Sequence, residues 1–380
     1  MILHLCYDGN FINDIVPAFK KYYPGRNIFL VNKEKNKCRI LKDDFTFKYV
    51  RFIESNYNII EKICVDFGVK SIILHGLHCS NVNLLYYLTK RRKYDVYWFF
   101  WGYELYISLA QENRYNLLDE PLHFYSYKSY IYPGRYNMFL RRILGKEIMS
   151  TVLKKALPMI DYFCFWNYED YLLLQKKYKT NIKFKYFTYQ AKYRGDDLNN
   201  IVSFQPVSKK KMILINHQAS VSANHLTVVN RIAKLDTLNE YKKLVPLSYG
   251  FDSIRKLVIK KCSKVFHEQF IPLLSYMPKE EYFKLICDSS VAIIGSKRQE
   301  AAGNIIFLLK SGVKVFLRND NNLLAYYRKR GYIIFSFEDD LNTLNDLSSL
   351  SFEEQKYNYQ CACKNQIFYD DFMPSLIDKF

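Results

Sequence analysis

The residues that could carry chemistry gather where short apolar runs give way to polar loops. Asp8 and Asn10 follow the run 2–6, His75 closes the run 71–75, and Trp101 and Glu104 follow the run 94–100. Asp8, His75 and Glu104 are groups able to take a proton from a hydroxyl, with Asn10 and Trp101 placed to hold the molecule that bears it. A lone histidine beside an apolar strand more often packs into a core. In the second half, Met212 to Asn216 runs into a loop holding Ser220, Ser222, Asn224 and His225 ahead of a helix. Backbone amides at such a helix start suit a phosphate, and an ordinary helix cap by Ser220 or Ser222 is the plainer reading. Ser248, Tyr249 and Gly250 make a sharp turn with an aromatic face, while Tyr276 and Met277 precede Pro278 as they would at any helix start. The richest loop is 295–304, where Arg298, able to grip a phosphate with two parallel hydrogen bonds, is followed by Gln299, Gly303 and Asn304.

These loops need a scaffold that ends strands and starts helices on one edge. Short β-branched or aromatic runs alternate with helix-length amphipathic patterns along the chain, the grammar of an α/β protein with parallel sheets and helical crossovers. Strands are expected near 1–7, 27–32, 47–52, 70–75, 94–100 and 160–166. After a break they recur near 211–216, 243–248, 266–271, 290–295, 313–317 and 332–336. Helices are expected near 12–22, 56–67, 80–91, 136–156 and 168–178, then near 223–237, 252–263, 278–288, 300–311 and 321–330. The apolar periodicity lapses around Gly195, Pro206 and the Lys209–Lys211 run, which sets the linker. The expected division is therefore 1–190 as one Rossmann-like domain, 191–210 as linker, and 211–350 as a second Rossmann-like domain. Residues 351–380 are expected to form helices that pack back toward the first domain. A ligand of such sheets binds beyond the carboxyl ends of the strands.

A chain of 380 residues that is 49% hydrophobic can fill two ordinary cores, and Lys plus Arg (56) exceed Asp plus Glu (37) to give a net charge of +19. That field attracts phosphates, anionic lipid surfaces or nucleic acid. No basic stripe interleaved with aromatics marks a nucleic-acid module, and none is expected as a partner. The cysteines are odd in number and scattered, as in a reducing compartment. Neither a signal peptide nor a run of about 18 apolar residues is seen, so a cytoplasmic protein with peripheral membrane contact is expected. There is no Gly-x-Gly-x-x-Gly after the first strand, no Gly-Lys-Ser/Thr loop, no His-Glu-x-x-His and no Gly-x-Ser-x-Gly, which removes the main support for dehydrogenase, NTPase, zinc hydrolase and serine hydrolase activities. Asp-x-Asp is missing too, so no metal and no cofactor are expected.

The segments 101–106, 216–225 and 298–303 together resemble glycosyltransferase family 56, the TDP-N-acetylfucosamine:lipid II N-acetylfucosaminyltransferases. Trp101-Gly-Tyr-Glu104-Leu-Tyr106 is similar to the family's Trp-Gly-x-Asp-Leu-Tyr. Asn216 with Ser222, Asn224 and His225 is similar to its Asn-rich loop, and Arg298-Gln299 with Gly303 to its Arg-Gln-Gln-Gly-x-Gly. Glu104, Glu300 and Ala301 depart from those patterns, which bears on the identity of the donor sugar. The resemblance implies a GT-B fold, two Rossmann-like domains facing each other across a cleft, with 1–190 as the acceptor-binding domain and 211–350 as the nucleotide-sugar-binding domain. It also implies transfer of N-acetylfucosamine or a related deoxyamino sugar from a nucleoside-diphosphate donor, TDP-linked, to a lipid-diphosphate-linked glycan of bacterial surface-polysaccharide assembly. Arg298 would then meet the diphosphate and Glu104 or Asp8 the acceptor hydroxyl. A nucleotide-sugar epimerase of the same fold and a polyanion-binding protein without catalysis are the alternatives.

A last expectation concerns residues 125–156, rich in basic side chains and preceded by clustered tyrosines. Leu140, Leu144, Ile148 and Val152 recur every fourth residue, and Arg135, Arg142 and Lys146 fall on another side of the same helix. Such a helix can pack on its own core or lie at an anionic membrane surface, and the latter fits a protein at the inner face of the cell membrane.

Overall fold

The computed structural model describes residues 1–41, 47–119, 147–194 and 208–378. They divide into two compact units. The first holds Met1–Glu112, residues 147–194 and residues 367–378; the second holds residues 113–119 and 208–366.

The first unit is built on seven parallel strands: β1 (Ile2–Cys6), β2 (Asn27–Val31), β3 (Phe47–Tyr49), β4 (Ser71–His75), β5 (Asp95–Phe99), β6 (Tyr162–Phe165) and β7 (Lys183–Tyr186), in the order β3-β2-β1-β4-β5-β6-β7. Every residue of β1 and β4 is buried, which is why these strands read as unbroken apolar runs rather than as alternations. The chain moves outward on one side from β1 to β3 and on the other from β4 to β7. β1 and β4 are therefore the switch point of a doubly wound sheet, and their pairing sets Ile2 to Leu5 against Ser71 to Leu74. Among the described residues the helices α1 (Asn10–Tyr22), α2 (Tyr57–Asp66), α3 (Cys79–Thr89), α4 (Tyr103–Gln111), α5 (Met149–Ala156) and α6 (Tyr168–Tyr178) belong to this unit, which a short C-terminal helix later joins.

The second unit repeats the plan with β8 (Lys210–Ile215), β9 (Lys242–Pro246), β10 (Phe270–Leu273), β11 (Ser289–Ile294), β12 (Lys314–Leu317) and β13 (Phe335–Ser336), ordered β10-β9-β8-β11-β12-β13 and again wholly parallel. Its helices are α7 (His225–Leu235), α8 (Asp252–Phe266), α9 (Lys279–Cys287), α10 (Ala302–Lys310), α11 (Asn322–Lys329) and α12 (Phe352–Lys364). The switch point lies between β8 and β11. The expected pair of Rossmann-like folds is thus present, and each expected strand overlaps an observed one, though the strand expected at 266–271 begins only at Phe270 because the preceding helix and a turn run on to Gln269.

Four features differ from expectation. β7 (Lys183-Phe-Lys-Tyr186) escapes the pattern because it is a short edge strand with lysines at alternate positions. α4 escapes because Glu104 to Leu109 are all buried, so no polar face marks its period. Residues 113–119 belong with the second unit, not the first, and residues 191–194 stay with the first, where Lys192 bridges Phe368. Finally, α12 packs on α10 in its own unit, and only residues 367–378 with α13 (Met373–Leu376) join the first. There Tyr369 Oη donates to Tyr189 O at 2.5 Å, and Met373, Leu376 and Ile377 sit in a core shared with Ile15, Phe19 and Phe187.

Arg135, Arg142 and Lys146, with Leu140 and Leu144, lie outside the described residues. Ile148 and Val152, the rest of that apolar row, are buried in the first unit's own core.

Candidate functional site

In the second unit the loops leaving β8 and β11 meet above the switch point. Asn216, at φ +58°, accepts a hydrogen bond at its Oδ1 from Gly295 N at 2.7 Å, and Asn224 Nδ2 donates to Gly295 O at 3.1 Å. Two asparagines therefore clamp one glycine. A Cβ there would stand 2.4 Å from Ala223 O and 2.7 Å from a Val228 methyl, so position 295 admits no side chain. The loop after β9 is tied in the same way: Ala219 N donates to Tyr249 O and Phe251 N to Ala219 O, both at 2.8 Å, across Gly250 at φ +113°. Gly250 is thus a structural necessity of the junction.

Within this frame Ser220 and Ser222 share a hydrogen bond at 2.8 Å, and Ser222 Oγ donates to Glu300 Oε1 at 2.5 Å. Neither serine caps α7; Asn224, in the left-handed region at φ +49°, holds that position. Arg298 does not present the isolated charge expected of it, because its Nη2 lies 2.5 Å from Glu300 Oε1 and its Nη1 donates to Gln299 O at 3.3 Å. Glu300, the departure from the family pattern, is thus the counter-ion of the residue that pattern is built around. Gly303 and Asn304 lie in the first turn of α10, and a Cβ on Gly303 would meet nothing within 4 Å. No packing demand explains that glycine, whereas an approaching ligand would.

Among the described residues, the buried polar atoms of these two loops that lack a hydrogen-bond partner include Asn216 Nδ2, His217 Nδ1, both ring nitrogens of His225, and Glu300 Oε2. A buried donor or acceptor left unmet costs roughly 1–3 kcal/mol, and folded proteins keep few of them. Burial pushes both imidazoles down, His225 to about 3 with a smaller contribution from His217, so both are neutral at pH 7 and each offers one donor and one acceptor. Ser248 and Tyr249 stand beside this cluster, next to Gly250. Tyr276 and Met277 follow the outermost strand β10, two strands away from β8, and Tyr276 is 87% exposed.

In the first unit the loops leaving β1, β4 and β5 form the corresponding edge. Asp8 does not stand free to take a proton: Lys33 Nζ lies 2.8 Å from its carboxylate, and the backbone amides of Arg39, Ile40 and Leu41 donate to it at 2.9 to 3.0 Å. Although burial opposes the charge, these donors hold the carboxyl well below the usual range. Asp8 is the anchor of the loop 39–41. Asn10 is exposed at the start of α1, one residue before Phe11.

Glu104 is fully buried at the start of α4, behind Gly102 at φ +98°. Its Oε1 accepts from Leu77 N at 3.1 Å and from Trp98 Nε1 at 3.4 Å, and Trp101 N donates to Oε2 at 3.3 Å. Desolvation outweighs these donors and pushes the carboxyl up to about 7. It therefore sews the loops after β4 and β5 together rather than facing solvent. His75 is also a core residue, its Nε2 3.1 Å from His4 Nδ1 and its Nδ1 3.0 Å from Tyr189 Oη, which in turn accepts from Trp101 Nε1 at 2.7 Å.

In the loop His75-Gly-Leu-His78 it is His78, not the expected His75, that reaches the surface. It is partly exposed, its ring lies tilted against that of Tyr7 with centres 3.9 Å apart, and its Nε2 is 3.3 Å from Tyr103 Oη. Burial lowers it to about 4, so the imidazole is neutral at pH 7, and its side chain also accepts from the backbone amide of Asn81 in the first turn of α3. Its signal was the Gly76 turn: at φ +78° it ends the strand at a buried His75 and delivers the third residue on, His78, to the mouth of α3. Trp101, His78 and half-exposed Phe11 make an aromatic surface beside it, with Trp101 at 6.0 Å from His78 and 6.2 Å from Phe11 between ring centres.

Among the described residues no group of three His, Cys, Asp or Glu is placed to hold a metal ion, no helix is long and apolar enough to cross a membrane, and all nine cysteines are free.

No family model matches the chain, and no curated protein matches it by sequence. Solved structures do. A sucrose-phosphate synthase from Thermosynechococcus elongatus superposes with a TM-score of 0.64 at 10% identity, over 97% of this chain and 95% of that one. A glycosyltransferase from Rickettsia africae gives 0.58 at 13% identity over 96% and 93%, and the HepE protein of Anabaena, in complex with UDP, gives 0.57 at 8% identity over 97% and 96%. The fold is of the GT-B type. These similarities span both units and nearly the whole length of each neighbour, and at such identities they speak for architecture alone.

Proposed function

We propose that the chain is a glycosyltransferase that binds a nucleoside-diphosphate sugar on the second unit and an acceptor hydroxyl on the first. The observation that carries this is the set of unpartnered buried polar atoms between the β8 and β11 loops, Asn216 Nδ2 and the nitrogens of His217 and His225 among them, at the position where doubly wound sheets bind nucleotides. Neutral His217 and His225 together with Asn216 suit the hydroxyls, amides and phosphate oxygens of such a donor. The UDP complex of one structural neighbour supports the same reading.

Chemically, the acceptor oxygen attacks the anomeric carbon of the donor sugar, the bond from that carbon to the diphosphate oxygen breaks, and the acceptor proton passes to a base. His78 is the base we assign, with Trp101 and Phe11 offering the acceptor ring its faces and Glu104 positioning Trp101 and the Leu77 amide. The leaving diphosphate is stabilised by fixed donors of the second unit. No metal ion is assigned a role.

The resemblance at 101–106, 216–225 and 298–303 supports a finer reading: a TDP-linked N-acetylfucosamine or related deoxyamino sugar as donor, a lipid-diphosphate-linked glycan as acceptor, and work at the inner face of a bacterial cell membrane, with Arg135, Arg142 and Lys146 as contacts to anionic lipid. Calorimetric titration of the full chain with UDP, TDP and GDP, followed by incubation of nucleotide sugars with lipid-linked glycans and mass spectrometry of the products, tests both levels. Binding of one nucleoside diphosphate with glycan elongation is expected. If none of the three nucleotides binds, the glycosyltransferase reading is wrong.

A further inference from the structure

The cations nearest the second unit's switch point are each matched to a carboxylate, and one of those carboxylates comes from far away in sequence. Residues 113–119 run directly on from the end of α4 yet pack in the second unit. Tyr115 Oη donates to Lys297 O at 2.8 Å and to Asp320 O at 2.5 Å, and Leu117 and Leu118 are buried. At the end of this strap, Asp119 N donates to Asn224 Oδ1 at 3.0 Å, and Leu117 O accepts from Asn224 Nδ2 at 3.1 Å. The Asp119 carboxylate then receives Arg318 through Nη1 at 2.8 Å and Nη2 at 3.3 Å, and Lys297 Nζ at 2.9 Å. Lys297 follows β11 and Arg318 follows β12, so both cations stand at the carboxyl edge of the sheet, beside the start of α7.

This is the geometry with which proteins hold phosphate: a forked guanidinium, a lysine as point charge, and a helix start. Burial opposes the charge on Asp119, but hydrogen bonds from Arg318, Thr227 and Lys297 outweigh it and hold the carboxyl down at about 2, so it is a full anion at any physiological pH. The other charges facing the pair are Glu338, whose Oε1 is 2.5 Å from Arg318 Nε, and Asp320, 3.9 Å from Lys297 Nζ and mostly exposed. Arg298 is already held by Glu300, two residues on in the same loop.

We propose that Lys297 and Arg318, not Arg298, are the cations that take the diphosphate of the donor, and that Asp119 competes with that diphosphate for them. The strap is a built-in carboxylate inhibitor: donor binding requires its displacement, and the apparent donor affinity is lowered by the share of molecules in which Asp119 holds the site. The inference rests on the glycosyltransferase reading for the donor's identity, but not for the anion site itself.

Inorganic pyrophosphate and UDP are titrated separately into the full chain and into Asp119→Asn, with hydrogen exchange of residues 113–119 followed in the wild type. Asn keeps the size of the side chain and removes the charge, so it is expected to bind both ligands on the order of tenfold more tightly, and pyrophosphate is expected to speed exchange at Leu117 to Asp119. Lys297→Met, which leaves Arg318 and its Glu338 contact in place, is expected to weaken both ligands. Unchanged or weaker binding by Asp119→Asn, or slower exchange in the strap, would make Asp119 a structural anchor and overturn the proposal. Tighter pyrophosphate binding by Asp119→Asn with no binding of UDP, TDP or GDP would uphold the anion site while removing the donor reading.

Discussion

Glu104 and His78 divide between them what a single acidic residue was expected to do. The carboxyl is enclosed by Leu77, Trp98 and Trp101, and the imidazole stands at the surface with a lowered affinity for protons. Sequence could mark the neighbourhood, since both residues follow the ends of adjacent strands. It could not say which would be covered, because that depends on the left-handed turns at Gly76 and Gly102 that swing Trp101 over the carboxyl. His78→Gln is expected to cut kcat by about 100-fold or more with little change in donor KM, the usual range for losing a general base. Glu104→Gln is expected to keep kcat within about tenfold, because the amide can still accept from the Leu77 and Trp101 amides. The reverse pattern would return the base role to Glu104. Its raised pKa also has a stability consequence. The unfolded carboxyl titrates near 4.5 and the folded one near 7, so the folded state binds the extra proton and its advantage is lost as pH rises through 7. At pH 8 the Gln variant should therefore be more stable than the wild type by up to about 3 kcal/mol, and near pH 4 the two should converge. Paired denaturant titrations at the two pH values measure the difference.

At the scale of elements, the strands were legible because burial on both faces turns them into plain apolar runs, and the loops that matter follow them directly. What was not legible has a common cause: the pattern reports an element's own faces, not its partners. α4 lacks a polar face because it is enclosed, β7 is too short and too rich in lysine, and nothing in Asn113 to Asp119 announces that the segment following α4 packs with another unit. Arg298 was legible as a polar residue in the right loop, but its pairing with Glu300 was not. The glycines of the second unit provide a sharp comparison. Gly295→Ala would force a Cβ to 2.4 Å from Ala223 O, between two clamped loops, and is expected to destabilise the protein by at least about 1–3 kcal/mol. Gly303→Ala meets open space in the first turn of α10 and should be neutral or stabilising by up to about 1 kcal/mol. Because Gly303 has no packing reason to be glycine, its Ala variant should instead weaken nucleotide binding. Thermal melts with and without UDP separate the two effects, and a Gly303→Ala protein with unchanged UDP affinity would remove that loop turn from the donor site.

For the whole molecule, the distribution of buried imidazoles sets the response to acid. His4 and His75 lie in the core of the first unit with His78 partly exposed nearby, His225 is buried in the second unit with His217 partly so, and burial lowers all five, His4 and His225 to about 3 and His78 to about 4. An unfolded histidine takes up a proton near 6.5, whereas these do so only far below, so over the window from 6.5 down to about 3 the unfolded chain binds more protons and stability falls with pH. At pH 5 each of His4, His78 and His225 should cost about 2 kcal/mol, with His75 and His217 acting in the same direction. Glu104 opposes this, regaining about 2 kcal/mol between pH 7 and 5 as its carboxyl protonates. The wild type should therefore lose only part of the histidine cost on going from pH 7 to 5, and Glu104→Gln should lose all of it. At about 2–4 °C per kcal/mol for units of this size, the variant's melting temperature should fall by roughly 8 °C or more over that window and the wild type's by several degrees less. Because both units carry such imidazoles, the fall should appear in every calorimetric transition rather than in one. A melting temperature in Glu104→Gln that stays flat from pH 7 to 5 would mean that these imidazoles are accessible to protons in the folded state, and would with that remove the neutral His217 and His225 on which the donor site is built.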